Sequence, residues 1–201
     1  MRFFVTEDRI CGELIALEPT DAQHVSRVLR MRPGEEITVC CGNGKAYLCA
    51  LEQVGKSDVT ARILSEEAYD NEPTAFVTVY AGLSKGDRFD YLIQKCVECG
   101  VSHIVPFETA LQAAAQNDCG LFLYEKEQQK SLSTVLKAAQ GSTFAVVTGP
   151  EGGFSEKEAQ QAQDAGLACV SIGPRILRCE TAPVAALCAI MYQTGNFDIG
   201  E

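Results

Sequence analysis

Two short runs near the C-terminus carry the residue types best suited to chemistry: Gly149-Pro-Glu-Gly-Gly-Phe154 and Ile176-Leu-Arg-Cys-Glu-Thr-Ala182. Each run follows an apolar, β-branched stretch and precedes a helical pattern, which predicts tight turns at the carboxyl ends of two adjacent strands. Open α/β sheets bind their ligands at that edge. Glycines allow close approach of the backbone and a positive φ, while free N–H groups and Glu151 offer donors and an acceptor. The two turns therefore predict a pocket for a polar, nucleoside-like cofactor.

Some residues around the first turn have a structural interpretation instead. Ser155 and Glu158 have the spacing of a helix N-cap with its capping box, and we favour that interpretation for both. Glu151 differs, because a carboxylate between glycines in a tight turn has little structural reason to be there. For Glu151 we favour a ligand contact.

The second turn leaves two possibilities open. Arg178 and Glu180 could act in the pocket, or they could form a surface ion pair of little energetic value. Thr181 is suited to cap the last helix, and Pro183 is well tolerated in a first helical turn.

The sequence has neither a GxxxxGK[ST] phosphate loop nor a GxGxxG fingerprint, and no motif surrounds its two histidines. Ordinary ATP, NAD and triad chemistry are therefore disfavoured.

Composition narrows the class of protein. The chain has 201 residues, 46% of them hydrophobic and 22% charged, which predicts one large or two small globular domains. Apolar runs are too short for a membrane span and the first residues do not resemble a signal peptide, so we expect a cytoplasmic protein.

Most of the ten cysteines lie in apolar patterns, which indicates reduced, buried thiols. Cys96 and Cys99 have zinc-knuckle spacing without a second pair, so no metal site is expected.

The net charge of −10 works against indiscriminate binding of nucleic acid, because phosphate contacts need a concentrated cationic surface. An RNA partner would have to meet a local patch. One candidate patch lies within nine residues of the N-terminal half and consists of His24, Arg27, Arg30 and Arg32. A solvated helix face with ordinary charges explains these residues equally well.

The chain changes character at Asn71-Glu-Pro73. The pattern of residues 1–70 predicts short β-strands, one of them from Cys11 to Leu17. A series of short strands is typical of a small β-barrel. One helix interrupts them from Asp21 to about Met31, with Thr20 or Asp21 as its N-cap. Residues 74–201 alternate strands with helices, which predicts an α/β domain with a mostly parallel sheet and helices on its faces.

Five segments resemble the ribosomal RNA small subunit methyltransferase E family, the 16S rRNA (uracil-N3)-methyltransferases of the SPOUT class. They occur in the family's order and span nearly the whole chain, and the last two together are highly specific. They start at His24, Lys85, Ile104, Gly149 and Ile172 and read HVSRVLRMRPG, KGDRFDYLIQKCVECGV, IVPF, GPEGGFS and IGPRILRCETA.

The resemblance implies an N-terminal PUA-like β-barrel that contacts RNA, followed by a SPOUT-type α/β domain with a C-terminal deep trefoil knot. No periodicity could predict a knot, because chains rarely thread their own loops. The resemblance also implies that the knot loops bind S-adenosylmethionine. Two subunits are expected to pack through their knots as a homodimer, with the active site at their interface. The implied substrate is small-subunit ribosomal RNA, either naked or in the assembled small ribosomal subunit.

Site residues carried over from the family fall into three groups. Arg178 and Glu180 are the catalytic candidates. The implied RNA-binding residues are His24, Arg27, Arg30, Arg32, Lys85 and Arg88. The implied cofactor-binding residues are Thr148, Gly149, Glu151, Gly152, Gly153, Ile172, Gly173, Ile176, Leu177, Arg178, Thr181 and Ala182.

One departure from the family lies after Phe107. Members of the family continue with a basic loop, a long helix containing Gln-Ser-x-Arg and a further strand, whereas Glu108 leads here almost at once into Thr109-Ala-Leu-Gln-Ala-Ala. A few tens of residues are missing, roughly a loop, a helix and a strand. Either this sequence omits residues of the natural chain or the protein is internally shorter. We favour the first, because loss of a core helix would expose much of the sheet.

We therefore expect methyl transfer to N3 of a uridine, with Arg178 favouring the base anion electrostatically. The alternatives are a SPOUT methyltransferase with another RNA target and a non-catalytic RNA-binding or ribosome-assembly protein of the same fold. The last helix, residues 181–193, has an apolar surface wider than one stripe. It is expected to pack on its own sheet and on a second subunit, with Ala186 on the outer face, unless one chain buries it entirely.

Overall fold

The structure is a computed structural model that describes residues 1–41, 44–68, 72–107 and 110–198. The chain forms two compact units, Met1–Asn71 and Glu72–Glu201. Asn71, where the sequence predicts a boundary, lies outside the described residues, as do Glu108 and Thr109 at the predicted gap.

Six strands build the N-terminal unit: β1 (Arg2–Val5), β2 (Ile10–Cys11), β3 (Leu14–Ala16), β4 (Glu36–Cys41), β5 (Lys45–Val54) and β6 (Val59–Ala68). They form one sheet in the order β1-β4-β5-β6-β3-β2, in which only β1 and β4 run parallel. Alternate residues of each strand face a common core, among them Phe3, Val5, Ile37 and Val39. The predicted strand from Cys11 to Leu17 is wrong in part, because the chain folds back at Gly12 (φ 62°) as a hairpin.

The helix of this unit differs from its prediction. Helix α1 (Pro19–Gln23) begins at Pro19, so that the N-cap is Glu18 and not Thr20 or Asp21. Proline suits the first helical position because its φ is already helical and its missing N–H would have no partner there. Residues His24–Leu29 continue as a π-helix, which hydrophobic spacing does not distinguish from an α-helix. The helix ends at Arg30, whose φ of 54° makes it the one non-glycine residue in the described parts of the chain with a positive φ.

Five parallel strands form the sheet of the C-terminal unit: β7 (Phe76–Gly82), β8 (His103–Phe107), β9 (Cys119–Leu123), β10 (Thr143–Thr148) and β11 (Ala168–Val170). Their order is β11-β9-β10-β7-β8. The helices are α2 (Arg88–Glu98), α3 (Leu111–Ala114), α4 (Leu132–Ala138), α5 (Glu156–Asp164) and α6 (Ala182–Gln193). This confirms the predicted parallel sheet between helices.

Both faces of this sheet are buried. Val146 of β10 belongs to a cluster with residues of α2, α4 and α6, whereas its neighbour Val147 belongs to a cluster with residues of α5. Because successive strand residues face opposite sides, each central strand supplies both clusters. The predicted outer position of Ala186 is wrong: this residue of α6 is fully buried in the first cluster, together with Leu187 and Ile190.

Candidate active site

Three loops at the carboxyl edge of the sheet line one cavity of about 840 Å³, called here the first cavity. They follow β9, β10 and β11 and contribute residues 124–125, 127–131, 149–154, 171–180 and 182. The two predicted turns therefore do meet, as the parallel strands require. Their strands are not adjacent, however, because β9 lies between β10 and β11.

Sequence reasoning missed the loop after β9. Tyr124, Glu125 and Lys130 of this loop line the first cavity. Tyr124 is notable because its Oη is buried and has no hydrogen-bond partner within the described parts of the chain. The available signal was the strand pattern ending at Tyr124, whose carboxyl end had to join the same edge as the two motif turns.

All predicted cofactor residues except Thr181 line the first cavity. Thr181 holds the N-cap position of α6 but makes no side-chain capping bond, while Pro183 follows in the first turn as expected. A second cavity of about 630 Å³ adjoins the first, since both are lined by Arg88 and Glu180. Its lining includes Thr181, Lys85 and Arg88, so Lys85 and Arg88 also reach the carboxyl edge of the sheet.

The glycines of this edge have two different roles. A Cβ on Gly152 would meet no atom within 4 Å, so this position opens onto free space. Gly153 has a φ of 66°, and a Cβ there would lie 2.7 Å from a carboxylate oxygen of Glu125. Gly82, at the end of β7, would place a Cβ 2.8 Å from the backbone N of Pro150. Gly82 thus lets two backbone segments pack closely and Gly153 adopts a positive φ beside the Glu125 carboxylate, whereas Gly152 leaves room for a ligand.

Glu151 lines the first cavity but is held by protein groups. Its Oε1 accepts hydrogen bonds from the backbone N–H of Lys85 at 3.0 Å and from Nη1 of Arg88 at 3.1 Å. The pKa of Glu151 is lowered mainly by the Lys85 N–H, with Arg88 as a further cause. Glu151 therefore has the structural role that the sequence did not indicate: it joins the loop after β10 to the start of α2.

Arg178 and Glu180 both line the first cavity. Within the described ranges they form no ion pair with each other, so the surface-pair interpretation is wrong. Oε2 of Glu180 accepts a hydrogen bond from the Cys179 thiol at 3.1 Å. A bond from its own backbone N–H, followed by that thiol, lowers the pKa of Glu180. The pair therefore presents a guanidinium and an ionised carboxylate to the cavity.

The capping box at the start of α5 is confirmed. Ser155 Oγ accepts from the N–H of Glu158 at 3.3 Å, and the Glu158 carboxylate accepts from the N–H of Ser155 at 2.7 Å. Both residues stabilise the helix end that follows the first motif turn, which matches the structural interpretation.

The predicted cationic patch of the N-terminal unit is exposed throughout. His24 and Arg27 lie on the π-helix, Arg30 is its C-cap, and Arg32 follows. In the portion of the unit that is described, none of the three arginines forms an ion pair. The contact of this patch with RNA stays a prediction, and the Glu35 carboxylate lies beside it, where it accepts from the Arg32 backbone N–H at 3.0 Å.

Six of the ten cysteines are buried, whereas Cys11 is exposed and Cys99, Cys179 and Cys188 are partly buried. Burial raises the pKa of the Cys96 thiol to about 12 and that of Cys188 to about 11. Among the described residues no group of three or more His, Cys, Asp or Glu side chains is arranged to hold a metal ion. The helices in these ranges include none with the length and apolar character that crossing a membrane requires.

Comparisons with known proteins agree with this architecture. The family model described as an RNA methyltransferase domain matches residues 70–113 and 107–191, and the RNA methyltransferase PUA domain model matches residues 17–64. A crystal structure of ribosomal RNA small subunit methyltransferase E from Neisseria gonorrhoeae, bound to S-adenosyl methionine, is 30% identical with a TM-score of 0.74. The match covers 95% of this chain and 96% of that one. This chain belongs to the ribosomal RNA small subunit methyltransferase E family.

Two further members of the family are also similar over most of their length. The enzyme of Bacillus subtilis (strain 168) is 28% identical, over 87% of this chain and 88% of its own. The enzyme of Mycobacterium tuberculosis (strain CDC 1551 / Oshkosh) is 25% identical, over 98% of this chain and 94% of its own.

The two ranges matched by the methyltransferase model overlap at residues 107–113, so the match breaks where the sequence predicts a missing stretch. The predicted family and fold class are confirmed, while the knot itself stays a prediction.

Proposed function

We propose that this protein uses S-adenosylmethionine to methylate N3 of a uridine in the 16S ribosomal RNA of the small ribosomal subunit. The observation that supports this most directly is the first cavity, which brings both motif turns together in a member of this methyltransferase family. Because the substrate would be ribosomal RNA, the proposed site of action is the cytoplasm.

The lining of the first cavity suits this cofactor. Ile172 and Leu177 offer apolar surface to an adenine ring, and Gly152 leaves space for a close approach. The unpartnered Oη of Tyr124 is a buried polar atom that a polar ligand would satisfy. The lining holds both carboxylates and cations, among them Glu125 and Arg178, which suits a ligand that carries charges of both signs. When bound, S-adenosylmethionine supplies a methyl group on a positively charged sulfur, which a nitrogen lone pair can displace.

The residues of this chain would prepare the uridine. N3 must lose its proton before its lone pair is available, and a nearby cation favours the resulting anion. The guanidinium of Arg178 lines the cavity and is the proposed cation. The Glu180 carboxylate, whose pKa is lowered mainly by its own backbone N–H and by the Cys179 thiol, is the proposed acceptor for the N3–H proton.

RNA binding is proposed for the exposed patch formed by His24, Arg27, Arg30 and Arg32. The PUA-domain match over residues 17–64 includes all four residues. A homodimer is proposed through α6, which carries no charged residue from Ala182 to Gln193 and exposes Tyr192. In that arrangement the partner subunit would complete the active site.

The direct test is methyl transfer to small ribosomal subunits from cells that lack N3-methyluridine. With radiolabelled S-adenosylmethionine we expect label in 16S RNA, and mass spectrometry of its nucleosides should identify N3-methyluridine. Naked 16S RNA, assayed in parallel, shows which form is the substrate. Label in a different nucleoside would assign another target. Binding of S-adenosylmethionine without any transfer would favour the non-catalytic alternative.

A further inference from the structure

Three cysteines lie close together where α2 packs on α6. Cys96 belongs to the last turn of α2, Cys99 is the C-cap of that helix and Cys188 lies in the middle of α6. The Sγ atoms of Cys188 and Cys99 are 3.5 Å apart, and the Cys188 thiol donates a hydrogen bond to the Cys99 sulfur. The described lining of both cavities includes none of the three cysteines. The proposed methyl transfer therefore leaves this cluster without a role.

We propose that Cys99 and Cys188 form a reversible disulfide when the protein meets a hydroperoxide. This inference goes beyond the proposed function, because neither thiol belongs to the cofactor cavity. The two sulfurs of a disulfide lie about 2.0 Å apart, so the observed pair must approach by about 1.5 Å. Rotation about the Cα–Cβ bond of either side chain can provide that approach.

Packing keeps the two sulfurs close to each other. Cys96 is fully buried in the cluster that contains Leu187 and Met191 of α6, and Cys99 packs against this cluster. Gly100 ends α2 with a φ of 84°, and a Cβ there would lie 3.6 Å from Cε of Met191. The end of α2 is therefore held against α6, although Cys99 and Cys188 are 89 residues apart in the sequence.

The two thiols of the pair have different roles. Burial, followed by the hydrogen bond to Cys99, raises the pKa of Cys188 to about 11, so Cys188 keeps its proton at neutral pH. The nucleophile towards a peroxide is a thiolate, which assigns the first attack to Cys99. Cys99 is only partly buried and interacts electrostatically with Lys95, one turn earlier on α2. Cys96 is unsuited to this step, because burial raises its pKa to about 12.

The reaction has two steps. The Cys99 thiolate attacks one oxygen of the hydroperoxide, the O–O bond breaks, and the leaving oxygen takes up a proton as an alcohol or water. The product is a sulfenic acid at Cys99. The Cys188 sulfur then attacks the Cys99 sulfur, so that the S–S bond forms and the S–O bond breaks, and the Cys188 proton leaves with the hydroxide as water. The two thiols lose two electrons, which reduce the peroxide.

The disulfide would join two helices that pack on the same face of the sheet. A bond between residues 89 apart restricts the unfolded chain strongly, so it should stabilise the C-terminal unit. A dithiol reverses the reaction by thiol–disulfide exchange. In a reducing compartment such a bond is transient, which is typical of cysteines that respond to oxidants.

The test maps the disulfide after oxidation of the folded protein. The wild type is treated with hydrogen peroxide, its remaining thiols are blocked with N-ethylmaleimide in denaturant, and its peptides are analysed by mass spectrometry. We expect a peptide pair linked through Cys99 and Cys188 that disappears after treatment with dithiothreitol. Cys99→Ser and Cys188→Ser should each abolish it, whereas Cys11→Ser, which removes an exposed thiol of the N-terminal unit, should keep it. Absence of this pair from the oxidised wild type, or a link from Cys99 to Cys96, would overturn the proposal.

A second measurement asks whether the bond fits the native fold. Oxidation should raise the calorimetric unfolding midpoint of the wild type by about 5 °C or more and leave that of Cys188→Ser unchanged. An unchanged or lowered midpoint of the oxidised wild type would overturn the proposal. So would a covalent dimer on a non-reducing gel, because it would show that the thiols join two copies of the chain. Neither readout depends on methyl transfer, so a failure of the proposed function does not affect the result.

Discussion

The carboxylate of Glu151 and the guanidinium of Arg88 lie 3.1 Å apart and join the two cavities at the carboxyl edge of the sheet. Glu151 belongs to the loop after β10, whereas Arg88 is the first residue of α2. Their side chains are 35% and 48% exposed, and ion pairs with such access to water contribute little to stability. The contact is therefore better explained as a device that orients Arg88 than as one that holds the fold together.

The first prediction tests that orientation with a double-mutant cycle. Arg88→Met should lower the single-turnover rate of methyl transfer about tenfold or more, because a cation that lines both cavities is lost. Glu151→Gln should produce part of that loss, since the neutral amide holds the guanidinium less firmly. The double variant should be no slower than Arg88→Met alone. Lys137→Met is the control, because Lys137 is an exposed cation of α4 that lines neither cavity. Fully additive losses would show that Glu151 acts independently of Arg88.

The second prediction concerns the pH dependence of this contact. Its neighbours lower the pKa of Glu151 in the folded protein. The contact therefore adds its full contribution to the free energy of unfolding at pH values above the ordinary pKa of a glutamate. It is lost as the pH falls through the lowered folded value. We therefore expect a small difference in calorimetric unfolding midpoint between wild type and Glu151→Gln at neutral pH, which shrinks in acid. A difference that stays constant with pH would show that Glu151 is not ionised in this contact.

The third prediction concerns the cofactor. Gly152 lines the first cavity, has no positive φ and would place a Cβ in free space. Gly152→Val should therefore leave the unfolding midpoint of the ligand-free protein nearly unchanged. It should lower the affinity for S-adenosylmethionine by about two orders of magnitude or more in calorimetric titrations, because the valine side chain fills space that the ligand needs. Gly152→Ala, with a smaller side chain, should have an intermediate effect. Unaltered affinity in Gly152→Val would remove this turn from the site.

Much of this site follows from local rules that a sequence displays. The capping box of Ser155 and Glu158, the alternation of strands and helices, and the turns after β10 and β11 all depend on neighbours within a few residues. The order of the strands depends instead on contacts between residues that are distant in the sequence. These contacts place β9 between β10 and β11. For the same reason the sequence did not show that Glu151 holds Lys85 and Arg88, which lie more than 60 residues away. Its predicted ligand contact stays a prediction.

The N-terminal helix shows a different limit. Apolar spacing predicts a helix here, but it does not distinguish α from π geometry over a single turn. The sequence does not predict the positive φ of Arg30 either, because arginine has no preference for that conformation. Backbone strain of this kind concentrates at functional positions, and Arg30 lies in the middle of the cationic patch.

The fourth prediction tests that patch. Replacing Arg27, Arg30 and Arg32 together with Ala should weaken binding of small-subunit RNA and reduce the salt slope of log K by up to about 3 units. Affinity for S-adenosylmethionine should not change, because these residues lie in the N-terminal unit and the cofactor cavity lies in the C-terminal unit. Lys56→Ala, an exposed cation outside the patch, is the control. A wild-type salt slope in the triple variant would identify the patch as an ordinary solvated surface.

The last prediction concerns assembly through α6. This helix buries Ala186, Leu187 and Ile190 against its own sheet. Ala185 and Tyr192 lie two turns apart on another side of the helix, where Ala185 is partly exposed and Tyr192 is 76% exposed. A charge-free helix with such a side is suited to pack against a second copy of itself about a two-fold axis.

Ala185→Glu therefore tests this interface better than a change at Ala186, which would disrupt the core. We expect light scattering to show a dimer for the wild type and a folded monomer for Ala185→Glu, with loss of methyl transfer because the proposed active site needs both chains. Gln161→Glu, on an exposed position of α5, adds the same charge elsewhere and should remain an active dimer. A wild-type protein that is monomeric at micromolar concentration and still active would exclude both the interface and the shared active site.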